Sequence, residues 1–211
     1  TRYWRDWSSD VCSSDLDKIQ LLPFGIDPTV FNAEGRNLSD APFIITSTRN
    51  FEEVYNIPDL INAIALIKDK LGDFELWMAG VGTLEPQIKE LIEEKGLSNN
   101  VKLLGRMRQP DLAEKLRQSH VFISMSSSDG NSVSLSEGIA CGCVSIVSEI
   151  EANKFWVEHD KTGYFVPVHG VEQLAAKILE VKADYHAIQT RMFAINKVML
   201  EEKGKIGRAH V

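Results

Sequence analysis

The chain has 211 residues, of which 44% are hydrophobic, 25% charged and 8% aromatic, the profile of an ordinary globular protein that can bury a core without metals or disulfides. Its formal net charge of -7, from 23 Lys plus Arg against 30 Asp plus Glu, argues against a general nucleic-acid binder, which presents a basic surface. No apolar run approaches the roughly 20 residues that cross a bilayer, and the three Cys do not make a disulfide framework.

Residues 1–16 have neither a globular pattern nor the apolar centre of a signal peptide. The genetic code links them to the other end of the chain. Residues 206–211 can be encoded ATC GGA AGA GCA CAC GTC, and the reverse complement of that string, GAC GTG TGC TCT TCC GAT, translates as residues 10–15. Lys205 (AAG) and Leu16 (CTT) obey the same relation. The shared string resembles a short-read sequencing adapter read in opposite directions. Residues 1–16 and 205–211 are therefore expected to be translated adapter, with Cys12 and His210 among them, and the reading frame between them to be cut at both ends. Residues 17–42 are expected to be the end of a preceding domain and its junction, and residues 43–204 one domain.

From residue 43 onward, short apolar runs alternate with amphipathic stretches. The predicted strands are 43–47, 74–79, 101–104, 121–125, 144–147 and 163–166, near-continuous apolar runs as in parallel strands covered on both faces. A helix over 57–71 places Ile57, Leu60, Ile61, Ile64, Ile67 and Leu71 on one face. One over 85–95 has Pro86 in its first turn and Gly96 as its stop. A third spans 110–118, a fourth starts near Ser132, and a last over about 184–202 repeats Tyr185, Ile188, Met192, Ile195 and Met199. No element is assigned between 167 and 183. This alternation predicts an α/β fold, a doubly wound, mostly parallel sheet of about six strands.

Such sheets bind ligands at the carboxyl ends of their strands. The loops there carry Arg49, then Gly80 and Gly82, then Gly105, then Asp129 and Gly130, and all four groups are expected to converge on one crevice. The richest segment is 126–142, SSSDGNSVSLSEGIACG. A strand runs through a Ser/Asp/Gly/Asn loop into a helix whose first amides and positive dipole end suit an anion. Asp129 and Glu137 lie eight positions apart, and each carboxylate can accept from two vicinal hydroxyls. Two acids beside an anion site suit a sugar joined to phosphate.

This segment resembles the acid–seven residues–acid motif of the group 1 glycosyl transferases, retaining family-4-like enzymes of the B-type fold that pairs two Rossmann domains. The resemblance covers most of the chain: LLPFGIDPTVF at 21–31, STRNFEEVYNIPDLINAI at 47–64, MAGVG at 78–82 and VKLLGRM at 101–107 follow in register. It implies the C-terminal, donor-binding half of an enzyme that moves a sugar from a nucleoside diphosphate to a glycan or lipid-linked acceptor. Arg49, pairing with the diphosphate, and Asp129, holding hydroxyls of the transferred sugar, are the implied catalytic residues. Glu137 is implied to bind ribose, the backbone at Gly130, Asn131, Ser132 and Val133 to meet the diphosphate, and Gly80, Gly82 and Met107 to complete the nucleotide site. Two positions depart from the family's pattern: Asp129 replaces the more common Glu, and Tyr55 stands where a second cation is usual.

No cofactor or metal is implied, since Arg49 and helix dipoles would neutralise the diphosphate, and the acceptor would be held by the missing N-terminal domain. A cytoplasmic location follows from the resemblance, peripheral at the inner membrane for the full-length protein. A nucleotide-sugar epimerase of the same fold and a non-catalytic sugar-nucleotide-binding module are the alternatives. The Gly80/Gly82 pair is not a dinucleotide fingerprint, because Glu85 stands at the third glycine. Cys141 and Cys143 read as small buried residues, His120, His159, His169 and His186 lack metal-ligand spacing, and Phe155 and Trp156 are expected to pack beneath the fifth crossover.

Overall fold

The computed structural model describes residues 26–38 and 42–204. The adapter-like ends and residues 17–25 of the junction segment lie outside the described residues. Six strands form one wholly parallel sheet: β1 (Phe43–Ser47), β2 (Phe74–Met78), β3 (Val101–Leu103), β4 (Val121–Ser124), β5 (Val144–Ser148) and β6 (Tyr164–Val166). Their order is β3-β2-β1-β4-β5-β6, the doubly wound Rossmann arrangement. Each of the six matches a predicted strand to within a residue at either end.

The helices are α1 (Ile57–Leu71), α2 (Glu85–Glu94), α3 (Gln109–Arg117), α4 (Val133–Ala140), α5 (Glu151–Lys154), α6 (Val171–Ala183) and α7 (Tyr185–Gly204). Pro58, Pro86 and Pro110 each sit in the first turn of their helix, where a missing N–H costs nothing. Side chains of one strand alternate between two cores, as the pleat requires. Val121 and Ile123 of β4 join the larger core, with α1, α2 and α6 packed over it. Phe122 faces the other way, into a smaller core with Leu116, Leu135, Ile139 and Trp156. Phe31, from the segment that precedes β1, is buried in that second core.

Four features depart from the sequence reading, the first being the short helix α5, which lies where no element is assigned. Helix α6 is not anticipated, although Leu174, Ala175, Ile178 and Val181 are all buried along it at helical spacing. In α7, Ile195 is 41% exposed, while Asn196 is buried and donates from Nδ2 to the Thr162 carbonyl. A strict seven-residue repeat drifts around a straight helix by about 20° per heptad, so the inward face moves from 195 to 196. Phe155 is exposed, whereas its neighbour Trp156 is buried. No helix among the described residues is long and apolar enough to cross a membrane.

Candidate functional site

In this strand order the crevice opens where the chain reverses direction across the sheet, between β1 and β4. Arg49 follows β1 by two residues and Asp129 follows β4 by five. The two loops are tied together: Asn56 Nδ2 donates to the Met125 carbonyl at 2.8 Å, and the Ser127 amide donates to the Val54 carbonyl at 2.8 Å. Asn56 itself adopts a left-handed conformation with φ 47°, which turns the chain into α1.

Arg49 is not a surface cation; it is 7% exposed. Its Nε donates to Ser124 Oγ at 2.8 Å and its Nη2 to Asp129 Oδ2 at 2.6 Å, with Ser132 Oγ at 3.3 Å from the same nitrogen. The guanidinium carbon lies 5.2 Å from the centre of the Tyr55 ring, within cation–π range. A charge held this deep is tolerated because it is paired and its donors are met. Nη1 has no partner among the described residues, so one edge of the fork is uncommitted. Asp129 makes no side-chain cap on α4, whose N-cap is Ser132; its carboxylate is committed to Arg49.

Helix α4 begins at Val133, whose amide donates to the Asn131 carbonyl at 2.8 Å, while the Leu135 and Ser136 amides donate to the Ser132 carbonyl; the positive end of its dipole lies beside the guanidinium. Glu137 lies two turns of sequence beyond Asp129, half-buried, and among the described residues no donor meets its carboxylate. Burial pushes its carboxyl up to about 7, against the charge of Arg49, which pulls it down. Gly130 is exposed with open space around it. Asn131 Oδ1 accepts from Trp156 Nε1 at 3.2 Å, while Asn131 Nδ2 is buried with no partner.

On the other side of Arg49, a cavity of about 150 Å³ lies at the carboxyl ends of β1, β2 and β3, lined by Thr48, Asn50, Gly80, Gly105, Arg106 and Met107. The Thr48 hydroxyl is buried there without a partner. Gly80 and Gly82 serve a backbone approach: a Cβ on Gly80 would stand 2.3 Å from the Arg49 carbonyl, and one on Gly82 would stand 2.3 Å from the Phe51 carbonyl. Gly80 thus borders the cavity directly, and Gly82 packs beneath the loop that follows Arg49. A larger, mainly apolar cavity of about 590 Å³ lies elsewhere, between the segment around Phe31 and the end of α7. Its charged lining, Glu34, Lys197 and Glu201, forms no cluster with Arg49 or Asp129.

The structure therefore brings Arg49, Asp129, Asn131, Ser132, Val133 and Glu137 to one crevice with the Gly80–Met107 cavity beside it. Ser124, Thr48, Asn153 and Trp156 also belong to this cluster and carry no motif that marks them. Cys141 and Cys143 are buried free thiols, and burial pushes Cys141 up to about 12. Among the described residues no three His, Cys, Asp or Glu side chains form a metal site.

Comparison with known proteins gives concordant results. The family model described as "Glycosyl transferases group 1" matches residues 31–197. The amylovoran biosynthesis glycosyltransferase AmsK of Erwinia amylovora is 30% identical over 171 residues, which are 78% of this chain and 42% of that protein. The putative colanic acid biosynthesis glycosyltransferase WcaL of Escherichia coli K12 is 27% identical over 77% of this chain and 41% of its own length. The chain thus spans about two fifths of these relatives. Among solved structures, a glycosyltransferase from Rickettsia africae superposes with a TM-score of 0.79 at 21% identity, over 90% of this chain and 55% of that one. The C-terminal domain of a glycosyl transferase group 1 family protein (LpcC) from Francisella tularensis superposes with a TM-score of 0.71 at 18% identity, over 88% and 98% of the two chains.

Proposed function

Since the chain belongs to the group 1 glycosyl transferases, we propose that its crevice binds the nucleoside diphosphate of an activated sugar for transfer, with retention of configuration, to a glycan or lipid-linked acceptor. Residues 43–204 are read as the donor-binding domain and 17–42 as the junction to an acceptor-binding domain. The near-complete overlap with a separately solved C-terminal domain supports that division, as does the share of its relatives that the chain spans. The names of AmsK and WcaL, which refer to amylovoran and colanic acid biosynthesis, support polysaccharide assembly as the setting.

The observation that carries this reading is the buried Arg49 fork, braced on Ser124 and Asp129 with one edge uncommitted, beside the first turn of α4. Breaking the bond between the sugar and the diphosphate places negative charge on the departing phosphate oxygens. A fixed guanidinium and the positive end of the α4 dipole stabilise that charge without reorganising at the moment of reaction. Glu137 accepts from ribose hydroxyls, and the cavity bordered by Thr48 and Met107 takes the base. Asp129 both pairs with Arg49 and faces the transferred sugar. Tyr55 stacks on Arg49 where the family carries a second cation, so phosphate neutralisation falls to one guanidinium and the helix dipole. No cofactor is needed for these steps.

Isothermal titration of the chain with UDP and GDP tests the reading. One of the two should bind, and Glu137→Ala should weaken it about 10- to 100-fold, the equivalent of one charge-assisted hydrogen bond at roughly 1.5–3 kcal/mol. Binding of neither nucleotide, or binding indifferent to Glu137→Ala, would overturn it.

A further inference from the structure

Behind the Arg49 fork lies a chain of hydrogen bonds whose direction can be read from its far end. Asn153, in the short helix α5 after β5, is fully buried. Its Nδ2 donates to the Ser148 carbonyl at 2.8 Å, so the amide is oriented with Oδ1 turned the other way. Oδ1 lies 2.6 Å from Ser132 Oγ. A carbonyl oxygen can only accept, and Ser132 Oγ at 2.6 Å is the donor it meets. The single hydroxyl proton of Ser132 therefore goes to Asn153, leaving the lone pairs of Ser132 Oγ to receive Arg49 Nη2 at 3.3 Å. The 3.2 Å approach of Ser132 Oγ to Asp129 Oδ2 then sets oxygen against oxygen, and the Arg49 nitrogen that both contact holds them together. A second brace comes from the same turn, where Trp156 Nε1 donates to Asn131 Oδ1 at 3.2 Å.

We propose that Asn153 is a positioning residue for the diphosphate clamp: through Ser132 it fixes the guanidinium of Arg49 with its Nη1 edge open to the crevice. This rests on the donor-binding reading above. Asn153 never touches the ligand. It sets which lone pairs Ser132 offers, and so which edge of Arg49 is spent on the protein and which remains for phosphate. Without it, the Ser132 proton is free to turn to Asp129, weakening the Arg49–Asp129 pairing and loosening the fork.

The test compares a nucleoside diphosphate with its nucleoside, UDP with uridine or GDP with guanosine, whichever pair the unchanged chain binds. Diphosphate binding is read by calorimetry and nucleoside binding by ligand-detected NMR. Asn153→Ala should lower diphosphate affinity about tenfold and leave the nucleoside unchanged, because only the phosphates meet Arg49. Ser132→Ala should do the same. Combined with Arg49→Ala, the Asn153 change should add no further loss, as expected of residues acting through one group. Equal losses of diphosphate and nucleoside, or no loss at all, would overturn the inference while leaving the donor-binding reading in place. Failure of the unchanged chain to bind either diphosphate removes both. If Asn153→Ala does not fold, the Ser132→Ala result decides, since it deletes one hydroxyl and nothing else.

Discussion

Glu137 shows how a single carboxylate reports on its surroundings. Its protonated form is favoured because burial strips water from the charge, and Arg49 compensates only in part. In the unfolded chain the same group titrates in the ordinary carboxylate range, near 4.3. Between the two values the unfolded state has released a proton that the folded state still holds, so stability falls as pH rises through that window and levels off above about 7. Glu137→Gln, which cannot ionise, should flatten this decline in the melting temperature between about pH 4 and 7. A decline of unchanged slope in the variant would assign it elsewhere. At this scale the sequence marks Arg49, Asp129 and Glu137, because acids and a cation in glycine-bearing loops after strands have a recognisable spacing. It does not mark Ser124, Thr48 or Asn153. A lone small polar residue in or beside an apolar run has no local signature; what makes each one matter is the residue opposite it in space, 75 positions away for Ser124 and Arg49.

Elements place these side chains through close backbone contacts. Gly80, at the end of β2, lets the following loop touch the Arg49 carbonyl, where a methyl group would stand 2.3 Å from it. Gly80→Ala must push the two loops apart, at a cost of about 1–3 kcal/mol by analogy with overpacking. It should lower the urea midpoint and weaken nucleotide binding together. A drop in stability alone would mean that the loop relaxes without moving Arg49. The same logic holds for α4, where a Cβ on Gly138 would meet the Phe122 ring at 2.8 Å. That tight seat brings the helix start, with Ser132 and Val133, down onto the end of β4. Strands and amphipathic helices are legible one by one from their apolar periods. Helix α6 carries the same period but was hidden beside α7, since only Asp184 separates the two helices. The apolar face of α7 also changes partners along its length, with Tyr185, Ile188 and Met192 in the larger core and Met199 and Leu200 against the smaller one. A helix serving two cores has no single stripe to read.

The segment 26–38 joins the domain at the scale of the whole molecule, and one residue secures it. Arg36 Nη1 donates to the carbonyls of Leu116, Arg117 and Cys141, and Nη2 to the Ser119 carbonyl and the Tyr185 hydroxyl. The cation sits where α3 and α4 both end, the negative pole of each helix. A lysine there keeps the charge but lacks the planar fork. Arg36→Lys should therefore cost at least ~2 kcal/mol in urea unfolding, since hydrogen bonds to charged groups contribute about 1.5–3 kcal/mol each. Proteolysis within 26–38 should quicken in the variant. An unchanged unfolding midpoint would mean that Phe31 and its apolar neighbours hold the segment unaided.

The sequence by itself determined the fold class, the bounds of the strands, the pair of acids and the cation of the crevice, and through their register the family. Each of these is written in local period or spacing, which backbone geometry forces on any chain that builds such elements. The tertiary structure alone decided that Asp129 pairs with Arg49 instead of capping α4. It alone placed Tyr55 against the guanidinium and ran a buried amide from α5 to the back of that site. Those outcomes depend on residues far apart in the chain meeting where β1, β4 and β5 end side by side, and the strand order sets that meeting. A hydrogen bond needs two partners within about 3 Å, and spacing along the chain carries no record of which distant residue will supply the second.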